Sequence, residues 1–151
     1  LFDTVEARTA LAGVPRAERR RVLFVPDPED AHPDHIAASR IAEAARFYAK
    51  FTRTEMSGEP HYAARVYRYM AVHVRIVREP SFLADISDTL ASKLEALGCY
   101  RSQFDDNAAN RGVIGLVEQN ARMWGAHGRV DAAEPFFALE APVVSSVLDL
   151  L

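Results

Sequence analysis

The 151 residues are 49% hydrophobic and 26% charged, with a formal net charge of -3 at pH 7. That balance belongs to an ordinary folded domain and excludes disordered and collagen-like chains. A single cysteine, Cys99, can form no internal disulfide and fits a reducing cytoplasm, and the sequence pI near 6.0 speaks against a nucleic-acid partner.

The chain opens on Leu-Phe-Asp-Thr-Val-Glu, without the basic stretch and apolar core of a secretory signal, and this start reads as internal. No run of about 18 apolar residues exists to span a bilayer, so no membrane partner is expected. Asp3 and Glu6 have the spacing of a capping box, which predicts a short first helix stopped by Pro15. Arg16, Arg19, Arg20 and Arg21 follow as a basic cluster, read as a solvated connection with phosphate binding as the alternative. Val22 to Val25 form a continuous apolar run closed by Pro26, the pattern of a strand buried on both faces of a parallel sheet. Ile36, Ala37, Ile41, Ala44, Ala45 and Tyr48 recur at helical spacing, with Arg40, Glu43, Arg46 and Lys50 on the polar side.

A loop is expected from Thr52 to His61, which holds Gly58 and Pro60. Val66, Tyr67, Tyr69 and Met70, then Val72, Val74 and Ile76, predict one or two strands, and Phe82 to Ile86 another. Ser87 or Asp88 is placed to cap a helix carrying Leu90, Leu94 and Leu97, and Ile114, Val117, Ala121 and Trp124 mark a further helix. Phe136 and Phe137 open a last short strand, with Glu134-Pro135 read as a turn before it. Trp124, the Tyr67, Tyr69 and Met70 stripe, and Cys99 are read as core rather than as functional groups. Alternating helices and strands without an internal repeat predict one α/β layered domain, whose ligands bind outside the carboxyl ends of its strands.

Chemistry concentrates directly after the first strand, in Asp27-Pro28-Glu29-Asp30-Ala31-His32-Pro33-Asp34-His35. With Pro33 at the first helical position, His32 falls near the N-cap and His35 on the first turn. Both imidazoles can then converge on the strand end, where imidazole is the commonest zinc ligand and a carboxylate such as Asp34 can fix a histidine tautomer. A His-x-x-His pair also arises by chance, and a catalytic zinc takes about three protein ligands where this segment offers one or two. His61 falls in a loop, His73 within a strand and His127 in a Gly-flanked turn, so none of them completes the set convincingly. The residues alone therefore describe an incomplete site.

Asp30-Ala31-His32-Pro33-Asp34-His35 resembles the second signature of the zinc-dependent N-acetylglucosaminyl deacetylases, the LmbE-like or PIG-L superfamily. Asp85-Ile86-Ser87-Asp88, Lys93-Leu94-Glu95-Ala96 and Cys99 to Phe104 resemble the stretch before that family's last helices. Arg122-Met123-Trp124-Gly125 and Ala133-Glu134-Pro135-Phe136-Phe137 resemble the end of its bacillithiol-forming branch. The resemblance implies a Rossmann-like fold with a mostly parallel sheet, zinc as cofactor, a homo-oligomer, and hydrolysis of the acetamide of a GlcNAc conjugate such as N-acetylglucosaminyl malate. In that scheme one metal supplies both nucleophile and Lewis acid. By position, His35 would be a zinc ligand, His32 the charged stabiliser of the tetrahedral intermediate, Asp34 the residue orienting His32, and Glu134 a substrate contact.

Two departures qualify this. The family's earlier His-Pro-Asp-Asp-x-Glu signature, which carries the other ligands and the general base, does not occur here, so the resemblance implies a carboxyl-terminal portion without the first strands. Such a portion is expected to be inactive by itself. Ala132 and Ala133 also stand where the bacillithiol-type enzymes tend to carry a tyrosine. The alternative is a non-catalytic domain of the same fold acting in assembly or sugar binding; a nucleotide-binding Rossmann domain is disfavoured because no Gly-x-Gly-x-x-Gly occurs.

Overall fold

The computed structural model describes residues 1–71, 78–146 and 148. The expected strand residues Val72, Val74 and Ile76, and His73 with them, lie outside these. The chain divides into two compact units, Leu1–Tyr69 with Phe137–Leu151, and Met70–Phe136. Among the described residues, four strands alternate with helices in a mixed α/β fold. Among the described residues no helix is long and apolar enough to cross a membrane.

In the first unit, helix α1 spans Val5–Glu18. Its N-cap is Thr4, whose hydroxyl accepts from the Ala7 N–H, while Asp3 pairs with Arg8 instead of entering the expected capping box. Pro15 does not stop the helix. It sits in the last turn, where α1 ends on Arg19 in the left-handed region (φ 51°), and its carbonyl accepts the Arg19 N–H. That turn is held from outside by Arg16, which is 5% exposed and thus no part of a solvated cluster. Its guanidinium donates to the carbonyls of Ala49, Phe51, Met56, Ser57 and Gly58, gathering the whole expected loop around one side chain. Gly58 has φ +79°, a conformation that favours glycine.

Helix α2, Pro33–Tyr48, packs on α1 through small residues, with Ala12, Ala45 and Ala49 buried and Tyr48 and Met56 closing over them. Its polar side is not uniformly solvated, because Arg46 is only 4% exposed. Arg46 donates to the Ala63 and Ala64 carbonyls and to both Glu140 carboxylate oxygens, and its guanidinium lies 4.1 Å from the centroid of the Tyr62 ring. Strand β1, Val22–Pro26, pairs in parallel with β2, Arg65–Tyr69, in the register Val22↔Arg65 through Pro26↔Tyr69. The expectation of a strand covered on both faces fails here: Val25 is buried, but Val22 is 39% and Phe24 58% exposed. Alternation along the strand turns Val25 inward and puts Val22 and Phe24 on the more exposed face, where the Phe24 ring lies 5.9 Å from that of Tyr67.

In the second unit, β3, Phe82–Asp85, runs antiparallel to β4, Ala133–Ala138, in the register Phe82↔Phe136 to Asp85↔Ala133. β4 therefore starts earlier than expected and contains Glu134-Pro135. The Ile86 N–H donates to the Ala132 carbonyl, so Leu83 and Pro135 fall at a non-hydrogen-bonded pair and the missing proline N–H breaks no bond to β3. Ser87 does not cap α3, Leu90–Gly98, whose N-cap is Thr89. Its hydroxyl donates to Asp85 and accepts the Ala132 N–H, and these bonds to Ser87 hold the Asp85 carboxyl below its ordinary value.

A short helix α4, Arg101–Phe104, and a 3-10 turn, Ala108–Asn110, precede α5, Val113–Gly128. Val117, Ala121 and Trp124 are buried as the periodicity requires, and Leu90, Ala121 and Ala132 share a core with Ile86 and Leu94. His127 lies within α5, in its last turn against Trp124, and not in the expected Gly-flanked turn, and Cys99 is exposed rather than core. Gly125 marks the tightest approach: a Cβ there would stand 2.7 Å from the Ala132 backbone and 2.7 Å from the Val130 carbonyl oxygen. Gly125→Ala is expected to destabilise the second unit by about 1–3 kcal/mol. A urea melt superposable on that of the parent protein would show that the approach relaxes without cost.

Candidate functional site

The site is assembled by the nine residues that leave β1. The Asp27 N–H donates to the Tyr69 carbonyl at 3.1 Å, extending the parallel ladder by one step beyond Pro26. Two short Asx turns follow. The buried Asp27 accepts the Glu29 N–H at 2.9 Å, and the buried Asp30 accepts the His32 N–H at 2.8 Å. Each reverses the chain a little, and together they deliver it to the start of α2 outside the carboxyl end of the strand.

His32 is the N-cap of α2 and Pro33 its first residue. The His32 Nδ1 accepts the Asp34 N–H at 3.1 Å, and its carbonyl takes the His35 and Ile36 N–H groups, so the helix start is satisfied within five residues. An Nδ1 that accepts carries no proton, which places the proton of a neutral ring on Nε2. His35, one turn on, has its Nδ1 2.9 Å from Asp30 Oδ2. A carboxylate accepts, so this Nδ1 donates and the lone pair of the neutral ring lies on Nε2. The two imidazoles stack with centroids 4.9 Å apart and planes 30° from parallel.

Of the four residues singled out from the sequence, His32, Asp34 and His35 come together here. The bond between Asp34 and His32 runs from the Asp34 backbone N–H to the ring, not from the Asp34 carboxylate. Glu134 belongs to the second unit, on β4, where it forms an ion pair with Lys93 of α3. His61 is used structurally, its Nε2 at 2.7 Å from the Arg20 carbonyl. Asp30 was not singled out, although the Asp-x-His spacing that forms its Asx turn was visible in the chain.

The fit to a zinc ion is partial. His35, with a buried carboxylate behind its ring, has the donor chemistry of one zinc ligand. Among the described residues no group of three or more His, Cys, Asp or Glu side chains could hold a metal ion. A catalytic zinc takes about three protein ligands, so these residues suit the ion as contributors to a site, not as the whole of it.

No protein-family model matches the chain. A diacetylchitobiose deacetylase from Thermococcus kodakarensis is 30% identical over 112 residues, which cover 69% of this chain and 40% of that protein. Among solved structures, the conserved protein TT1542 from Thermus thermophilus superposes with a TM-score of 0.85 at 36% identity, over 97% of this chain and 64% of its own. The N,N'-diacetylchitobiose deacetylase from Pyrococcus horikoshii superposes with a TM-score of 0.76 at 23% identity, over 100% of this chain and 58% of its own. The chain is therefore homologous to a diacetylchitobiose deacetylase and has the layered α/β fold of one. It spans two fifths of the length of that curated relative.

Proposed function

We propose that the protein containing this chain is a zinc-dependent N-deacetylase that hydrolyses the acetamide of an amino-sugar conjugate. The observation that carries this reading is the His32-Pro33-Asp34-His35 helix start outside the carboxyl end of β1, in a chain homologous to a diacetylchitobiose deacetylase. His35 binds the metal through Nε2, and the remaining ligands and the general base come from sequence outside these 151 residues. When bound, zinc supplies Lewis acidity at the acetyl carbonyl and a water of lowered pKa. His32 presents its Nε2 proton to the oxygen that gains charge as the carbonyl carbon becomes tetrahedral. The Asp34 N–H fixes that tautomer by occupying Nδ1. Within the amino sugars, N-acetylglucosaminyl malate is the substrate that the bacillithiol-like blocks of the sequence favour, with Glu134 as a contact to it.

The test is acetate release from N-acetylglucosaminyl malate and from diacetylchitobiose by the zinc-loaded full-length protein. His32→Asn preserves an N-cap side chain but not the ring, so it separates helix capping from chemistry. It is expected to keep its zinc and lose turnover on the order of 10²-fold or more. No acetate release from either conjugate by a zinc-replete parent protein would refute the deacetylase reading and favour the non-catalytic alternative. Unchanged kcat in the variant would remove His32 from the mechanism alone.

A further inference from the structure

We propose that Asp30 is a positioning residue that fixes His35 in the tautomer required for metal binding. The inference rests on the reading of His35 as a ligand and adds to it the residue that makes the ring competent. The Asp30 side chain is 0% exposed, and its two oxygens are used on different partners. Oδ1 accepts the His32 N–H at 2.8 Å, and Oδ2 lies 2.9 Å from the His35 Nδ1. One carboxylate thus ties the backbone ahead of α2 to a ring on its first turn.

The consequence is chemical as well as geometric. An imidazole binds a metal through its unprotonated nitrogen, and either ring nitrogen can be that atom until a hydrogen bond chooses. Oδ2 chooses Nδ1 for the proton, which assigns the lone pair to Nε2. Because this carboxylate is buried, the bond is little screened, and it both orients the ring and raises the electron density of the donor atom. Asp34, the carboxylate next in sequence to His35, is exposed at the start of α2 and meets His32 through its backbone N–H. A backbone-capping role alone would need only Oδ1, and an asparagine would supply it.

That difference defines the experiment. In the full-length protein Asp30→Asn retains an oxygen for the His32 N–H and replaces the second acceptor by a donor. Zinc affinity, measured by competition with a chromophoric chelator, is expected to fall on the order of 10 to 100-fold. In metal-free protein, long-range 1H–15N correlation spectra are expected to show His35 protonated on Nδ1 in the parent and shifted towards the Nε2-protonated form in the variant. Parent-like zinc affinity with a parent-like His35 tautomer in the variant would overturn the assignment. Should the variant not fold, the parent spectrum decides, because an Nε2-protonated His35 there is equally fatal. His35→Ala serves as the separate control: tight zinc in that variant would sink the ligand reading, while the metal-free tautomer would still report on Asp30.

Discussion

His35→Ala in the full-length protein is expected to lose most of its bound zinc and, with it, measurable deacetylation. On the proposed reading the ring would supply one ligand of a set of about three, and removing a first ligand from a catalytic site would take away the metal rather than weaken it slightly. Loss of the metal's several kcal/mol of transition-state stabilisation corresponds to a fall in kcat/KM on the order of 10³-fold or more. The substitution also takes from the buried Asp30 the ring that its Oδ2 contacts, so some stability is lost at the same place. Elemental analysis of folded, dialysed protein, with circular dichroism to establish the fold, separates the two effects. A full complement of tightly bound zinc in the folded variant would dismiss His35 as a ligand.

Arg16→Met is expected to give the largest loss of stability of any substitution in the first unit, on the order of 3 kcal/mol or more. Methionine keeps the aliphatic stem and removes only the donors. Five carbonyl groups, those of Ala49, Phe51, Met56, Ser57 and Gly58, then lose a charged partner at once, that of Ala49 at a buried position. Chemical denaturation reads the total. Amide hydrogen exchange across residues 49–61 reads its location, and protection there equal to that of the parent would show that the loop holds its shape without the guanidinium.

The local parts of this architecture were legible in the sequence, and the distant ones were not. Pro33 at the first position of α2 and His32 before it follow from a proline's fixed φ and missing N–H, which act within a few residues. The buried stripe of Val117, Ala121 and Trp124 follows from helical periodicity in the same way. Arg16 and Arg46 read as solvated because nothing near them in sequence identifies their acceptors, which include carbonyls 33 to 42 residues beyond Arg16 and a carboxylate 94 residues beyond Arg46. The exposure of Phe24 was hidden for a related reason: a run of apolar residues states hydrophobicity but not how deeply each face is buried. At the site, composition drew attention to a dense group of carboxylates and imidazoles without ranking them. Burial set Asp27 and Asp30 apart from the other side chains of this segment, and the 2.9 Å contact with the His35 ring is what points to Asp30.

The same contrast in range bears on the order in which the molecule assembles. The hydrogen bonds made within the turn from Asp27 to His35 join residues five or fewer apart, whereas those of Arg16 close segments of more than thirty. Closing a short segment costs little chain entropy and takes on the order of 10 to 100 ns for a loop of about ten residues. The turn that brings the two histidines together can therefore form early in folding, while the bond between Asp30 and His35 gains its full strength only when the unit packs and buries the carboxylate.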